Sequence, residues 1–118
     1  PGLSDNIRVR SILGRFLEHS RIYAFCNDGD TDLYIGSADL MHRNLDRRVE
    51  ALVRTTDPEM IERLTWLVTH AASDAVTSWW LEPDGSWVRH VTGPDGERLE
   101  DIQTTLMARA RARVKSRD

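Results

Sequence analysis

Two short stretches of the chain carry the side chains best suited to chemistry. In FLEHSRIYAF an imidazole, His19, and a guanidinium, Arg21, stand two residues apart where an apolar run gives way to β-branched and aromatic residues. In Gly36-Ser37-Ala38-Asp39 a hydroxyl and a carboxylate have the same spacing. Side chains two apart on an extended chain point to one face, so pairing of the two segments would gather four polar groups. An imidazole that titrates near neutrality, a fixed cation with a fork of donors, a hydroxyl and a carboxylate suit phosphoryl transfer. That reaction asks for positioning, charge stabilisation and a proton for the leaving oxygen. His19 would act as a general acid there, Arg21 would bind a phosphoryl group, and Ser37 would donate a hydrogen bond to one of its oxygens. Asp39 would repel a polyanion and is expected to orient His19 or an arginine instead. Read alone, an H-x-R at a strand end is most often a solvated edge, and that reading stays open here.

The stretch GSADLMHRNLDRRVE adds three arginines within a segment that has few apolar positions. Arg43, beside Asn44, is the better phosphate contact, whereas Arg47 and Arg48 are as readily plain surface. Upstream, Arg8 and Arg10 alternate with Ile7 and Val9, so they share a face. His70 and His90 are expected to have no direct role, with His42 somewhat better placed. Trp66, Trp79, Trp80 and Trp87 read as core rather than a stacking platform. Asp28, Asp30 and Asp32 resemble the start of a calcium loop but lack its later glycine and glutamate, so no metal is expected there.

Several elements must position these groups. IRVRSIL alternates as a strand, GRFLEH suggests a short helical turn, and SRIYAFCN and DLYIGSA read as a hairpin around NDGDTD, with Cys26 in its core. MHRNLDR is a polar connection or short helix, and RVEALVR alternates again. At Thr56-Asp57-Pro58 the period changes: a capping residue and a proline precede Met60, Ile61, Leu64, Leu67 and Val68, which spacing predicts a helix running into the Ser73 to Trp80 region. WWLEPDGSWVRH predicts a hairpin bent at Asp84-Gly85, and Leu99, Ile102, Leu106 and Ala110 a terminal amphipathic helix. The expected fold class is α/β (α+β), with a mixed β-sheet in the first half flanked by helices and a C-terminal helix-hairpin-helix segment. One domain is expected over 1–118, with a β-rich, site-bearing half at 1–56 and a helical half at 57–118.

At 118 residues such a domain needs no metal or disulfide staple to fold. The formal net charge of -3 excludes a global field that would draw nucleic acid or an anionic membrane, so an anion site must be local. A single cysteine cannot close an internal disulfide and favours a reducing compartment such as the cytosol. The sequence has no apolar stretch long enough to span a bilayer. The opening PGLSDNI, without an initiator methionine, suggests a piece of a longer polypeptide.

The combination of PGLSDNIRVRSILGRFLEHSRIYAF and YIGSADLMHRNLDRRVEALV resembles the last domain of bacterial polyphosphate kinases, over roughly residues 1 to 56. The resemblance implies a phospholipase D-like half. Phospholipase D proteins carry H-x-K and G-S-x-N, and His19-x-Arg21 and Gly36-Ser37-x-Asp39 depart from both, which counts against phosphodiesterase chemistry. It also implies reversible transfer of the terminal phosphate of ATP to inorganic polyphosphate through a phosphohistidine carried on the preceding domain. His19 would then be a second catalytic or nucleotide-contacting residue, and Arg21 and Arg43, with Arg8 and Arg10 as further candidates, would line a passage for the polyphosphate chain. The implied partners are ATP or ADP, polyphosphate and the preceding domains of the same chain, in a homo-oligomer and without nucleic acid. Mg2+ is the implied cofactor, its ligands lying outside these residues, and the isolated piece is expected to be inactive. The implied location is the cytoplasm, with membrane association of the full enzyme open. The alternative is a non-catalytic module that binds polyanions or nucleotides and mediates assembly.

Overall fold

The computed structural model describes residues 2–115. In chain order the elements are β1 (Arg10–Ser11), β2 (Ile22–Asn27), β3 (Asp30–Gly36), α1 (His42–Arg47), β4 (Leu52–Thr55), α2 (Pro58–Ala71), β5 (Ser78–Leu81), β6 (Trp87–His90) and α3 (Ile102–Lys115). The strands form two antiparallel sheets, ordered β1-β5-β6 and β2-β3-β4. A mixed sheet in the first half was the expectation. The pairing differs because β1 joins the late hairpin, with Arg10 opposite Trp80 and Ser11 opposite Trp79, and leaves β2, β3 and β4 as a meander.

The contacts divide the chain into two units, Glu18–His70 and a second made of Pro1–Leu17 with Ala71–Asp118. In the first unit the hairpin is fixed at its tip. Asp28 and Gly29 have φ of 48° and 97°, the left-handed pair that a two-residue hairpin turn needs and that Asp-Gly tolerates best. Asn27 then pairs with Asp30, and each residue of β2 meets its partner as far as Ile22 opposite Ile35. Leu33, on the central strand β3, is fully buried. Cys26 lies in β2 but is exposed, contrary to the core position expected, because β2 is an edge strand and Cys26 sits next to the tip. α2 starts where the sequence indicates: Asp57 caps it by accepting from the Met60 amide at 2.8 Å. It stops at Ala71, short of the expected extension, because the β-branched and aromatic residues that follow are taken into β5.

In the second unit, Val76 and Ile102 form the buried apolar core together with buried Ser78 and Gln103. The β5-β6 hairpin turns at Gly85, whose φ of 85° only glycine adopts without strain. Ser86 donates its amide to Asp84 at 2.8 Å. GRFLEH is not helical. The Gln103 amide clasps Phe16, accepting from its N–H at 2.9 Å and donating to its C=O at 2.8 Å, as a neighbouring strand would. Both backbone groups of Phe16 are therefore spent, and no helical turn can use them. Trp79 and Trp80 are half-buried, as is Trp66 in the first unit, while Trp87 stands 44% exposed and leaves the core expected of all four.

Candidate functional site

β2 and β3 bring Arg21 and Asp39 together in the first unit. The Gly36 amide donates to the Arg21 carbonyl at 3.1 Å, continuing the ladder one step past Ile22. The chain then bends at Ser37, so the alternation expected to place Ser37 and Asp39 on one face is broken. Asp39 turns back to accept from the Arg21 guanidinium at 3.1 Å. Its second oxygen accepts from the Met41 amide at 3.2 Å and from the side-chain amide of Asn44. Tyr23 braces the same bend, its hydroxyl donating to the Ala38 carbonyl at 2.9 Å. Partial desolvation pushes the Asp39 carboxyl up. The Met41 amide, the Arg21 guanidinium and the Asn44 amide together outweigh it, so the group lies below the ordinary carboxylate value.

A carboxyl lowered in this way stabilises the fold above the ordinary carboxylate range, and the contribution disappears as pH falls through that range to the folded value. The Asn44 side-chain amide resonances are therefore expected to shift as Asp39 takes up a proton, with a midpoint below the ordinary carboxylate value. A shift complete by pH 5 in a titration followed by NMR would contradict this.

Ser37 is directed elsewhere: its hydroxyl donates to Glu50 at 2.5 Å and accepts from the Ala51 amide at 3.2 Å, tying the bend to the start of β4. A hydroxyl has one proton, so donation to phosphate requires exchange of the Glu50 bond. His19 lies before β2 in irregular backbone and is exposed; its carbonyl accepts from Arg21 at 2.6 Å, and its imidazole makes no hydrogen bond or ion pair among the described residues. Arg43 is exposed on α1. The expected four-group cluster thus separates into a bonded Arg21–Asp39 pair, a Ser37–Glu50 pair and a solvent-facing imidazole. Asn44 and Glu50 were not among the expected site residues. Both lie in the motif that carries Ser37 and Asp39, and their polar type at positions beside a bend was the available signal.

Arg8 and Arg10 belong to the second unit. Arg8 is exposed, while Arg10 pairs with Asp74 and lies 4.2 Å from the Trp80 ring centre, on the wall of a cavity of about 400 Å3 that Arg8 also lines. Arg10 is thus largely committed to packing. His70 stacks on Trp66 and His90 on Trp80, both as ring partners, and His42 pairs with Asp46 one turn along α1. Asp32 of the acidic turn is held by Arg54 and Asn27. Among the described residues no three His, Cys, Asp or Glu side chains gather to hold a metal ion. No described helix is long and apolar enough to cross a membrane.

Residues 1–101 match the family model for polyphosphate kinase C-terminal domain 2. The chain is 58% identical over 113 residues to the polyphosphate kinase of Streptomyces coelicolor, covering 96% of this chain and 15% of that protein. It is 49% identical over 111 residues to the polyphosphate kinase of Mycobacterium avium, covering 94% of this chain and 15% of that protein. The crystal structure of polyphosphate kinase from Porphyromonas gingivalis superposes with a TM-score of 0.81 at 26% identity, over 96% of this chain and 17% of that one. The chain therefore spans about 15% of the length of the curated relatives it matches. With a family model matched along most of its length and two relatives this similar across nearly all of it, the chain belongs to the polyphosphate kinase C-terminal domain 2 family.

Proposed function

We propose that this chain is the C-terminal part of a polyphosphate kinase and contributes to reversible transfer of the terminal phosphate of ATP to inorganic polyphosphate, through a phosphohistidine on a preceding domain. Family membership carries the reading. The Arg21–Asp39 pair supports it: a carboxylate that holds an arginine fixes the direction of the remaining guanidinium donors, as recognition of a phosphoryl group requires. In this reading the residues form one catalytic-core domain with a phospholipase D-like half. His19 supplies a proton to the leaving oxygen, Arg21 and Arg43 meet phosphate, and Arg8 and Arg10 flank the path of the polyphosphate chain. Mg2+ and ATP or ADP are engaged with help from residues of the longer chain, which is cytoplasmic and assembles as a homo-oligomer.

The full-length protein is expected to form ATP from ADP and polyphosphate, with an apparent affinity for polyphosphate that falls steeply as salt rises, because its contacts are ionic. The 118 residues alone are expected to bind without turnover. A full-length protein that binds polyphosphate but transfers no phosphate would instead support a polyanion-binding assembly module, a reading favoured by the solvent-facing Arg43 and Arg8.

A further inference from the structure

Asn44 is 3% exposed, the most deeply buried polar side chain of Glu18–His70 among the described residues. An amide carried into the interior lowers stability unless its donors and acceptor are met, and an apolar residue of similar size would pack there at less cost. Here the amide is met on both sides. Its nitrogen donates to Asp39, and its oxygen accepts from Arg48 at 3.4 Å. Asp39 accepts from one terminal nitrogen of Arg21 at 3.1 Å, and the other donates to the His19 carbonyl at 2.6 Å. An unbroken series of bonds therefore runs from the interior of α1 to the backbone of His19. That backbone has no regular strand structure, and the His19 imidazole makes no hydrogen bond or ion pair among the described residues.

We infer that Asn44 is a positioning residue which, through Asp39 and Arg21, fixes the backbone of His19 and so the place from which its imidazole meets the substrate. This rests on the kinase reading above. Asn44 touches no substrate itself. It holds the Asp39 carboxylate in the orientation that accepts from Arg21, and Arg21 ties the segment before β2 to the bend after β3. Loss of the side-chain amide leaves the Asp39 oxygen to which it donates with the Met41 N–H alone, at 3.2 Å, and so loosens the carboxylate from which the guanidinium reaches the His19 carbonyl.

The test uses the full-length protein, with ATP formation from ADP and polyphosphate as the assay and thermal unfolding measured alongside. Asn44→Ala is expected to lower kcat about 10- to 100-fold, in the range seen when residues that orient a functional side chain are removed, with KM for ADP within about threefold. In a His19→Ala background the same substitution is expected to add less than about a threefold loss, because the group it positions is already gone. Losses that multiply would overturn the inference, as would an Asn44→Ala protein of normal kcat. Where Asn44→Ala does not fold, Asn44→Asp preserves the shape and removes the donor at neutral pH. The new carboxyl then sits beside Asp39, and like charges this close raise the pKa of one of the pair. Its activity relative to wild type is expected to fall about tenfold or more at pH 8 and to recover toward pH 6, as the returning proton restores a donor to Asp39. A ratio independent of pH overturns the inference. A wild-type protein with no transfer at all is a separate result, which removes the kinase reading itself.

Discussion

His19→Ala in the full-length protein is expected to lower kcat for phosphate transfer at least a hundredfold, with the melting temperature unchanged. A positioned proton transfer contributes roughly 100- to 10,000-fold to rate. The side chain that would provide it is exposed and makes no hydrogen bond or ion pair among the described residues, so removing it leaves no cavity and no orphaned partner among them. A drop in both activity and stability would point to a structural role that the exposure of His19 gives no reason to expect. Near-normal synthesis would reduce it to a bystander. Measuring kcat and KM in both directions separates the possibilities. Removing a group that acts mainly in the transition state lowers kcat, whereas removing one that holds nucleotide equally in the ground and transition states raises KM.

The second large effect concerns the scaffold. Leu33→Ala is expected to destabilise the β2-β3-β4 unit by about 2–5 kcal/mol, the usual range for emptying a fully buried leucine site. Among the described residues Leu33 is the fully buried apolar side chain of that unit, and β3 leads directly into the bend that carries Ser37 and Asp39. Amide hydrogen exchange in the sheet reads the change without assuming that the whole chain unfolds as one: protection is expected to fall at least about thirtyfold at Tyr23 and Tyr34, which exchange bonds across β2 and β3. Ile35→Ala on the same strand provides the contrast. Ile35 points to the same face but is 45% exposed, and its removal is expected to cost less than about 1 kcal/mol. Equal losses at the two positions would show that burial does not rank this sheet.

Local chemistry made several elements legible from sequence. Asp57 ahead of Pro58 announced the start of α2, and Asp28-Gly29 and Asp84-Gly85 marked two hairpins, because caps and left-handed turns depend on residues next to one another. Features set by distant partners were not legible. The Phe16 segment takes its form from Gln103, 87 residues away, and β1 from the late hairpin that pairs with it. At the site, the strand alternation read from the sequence held as far as the ladder bond between Gly36 and Arg21. It failed one residue later, where the bend at Ser37 sent the hydroxyl to Glu50 and the carboxylate to Arg21. Periodicity has no information past the last ladder bond.

Gln103 has a consequence for where this folded unit ends. The recognisable family signature stops at residue 101, yet Ile102 and Gln103, immediately beyond it, are buried, and Gln103 is what the Phe16 backbone is bonded to. A truncation at the family border would strip away a core side chain together with the surrogate strand that satisfies Phe16, although no family-defining residue would be lost. Ancestry and physical self-sufficiency therefore draw different borders on this chain, and the physical one includes α3.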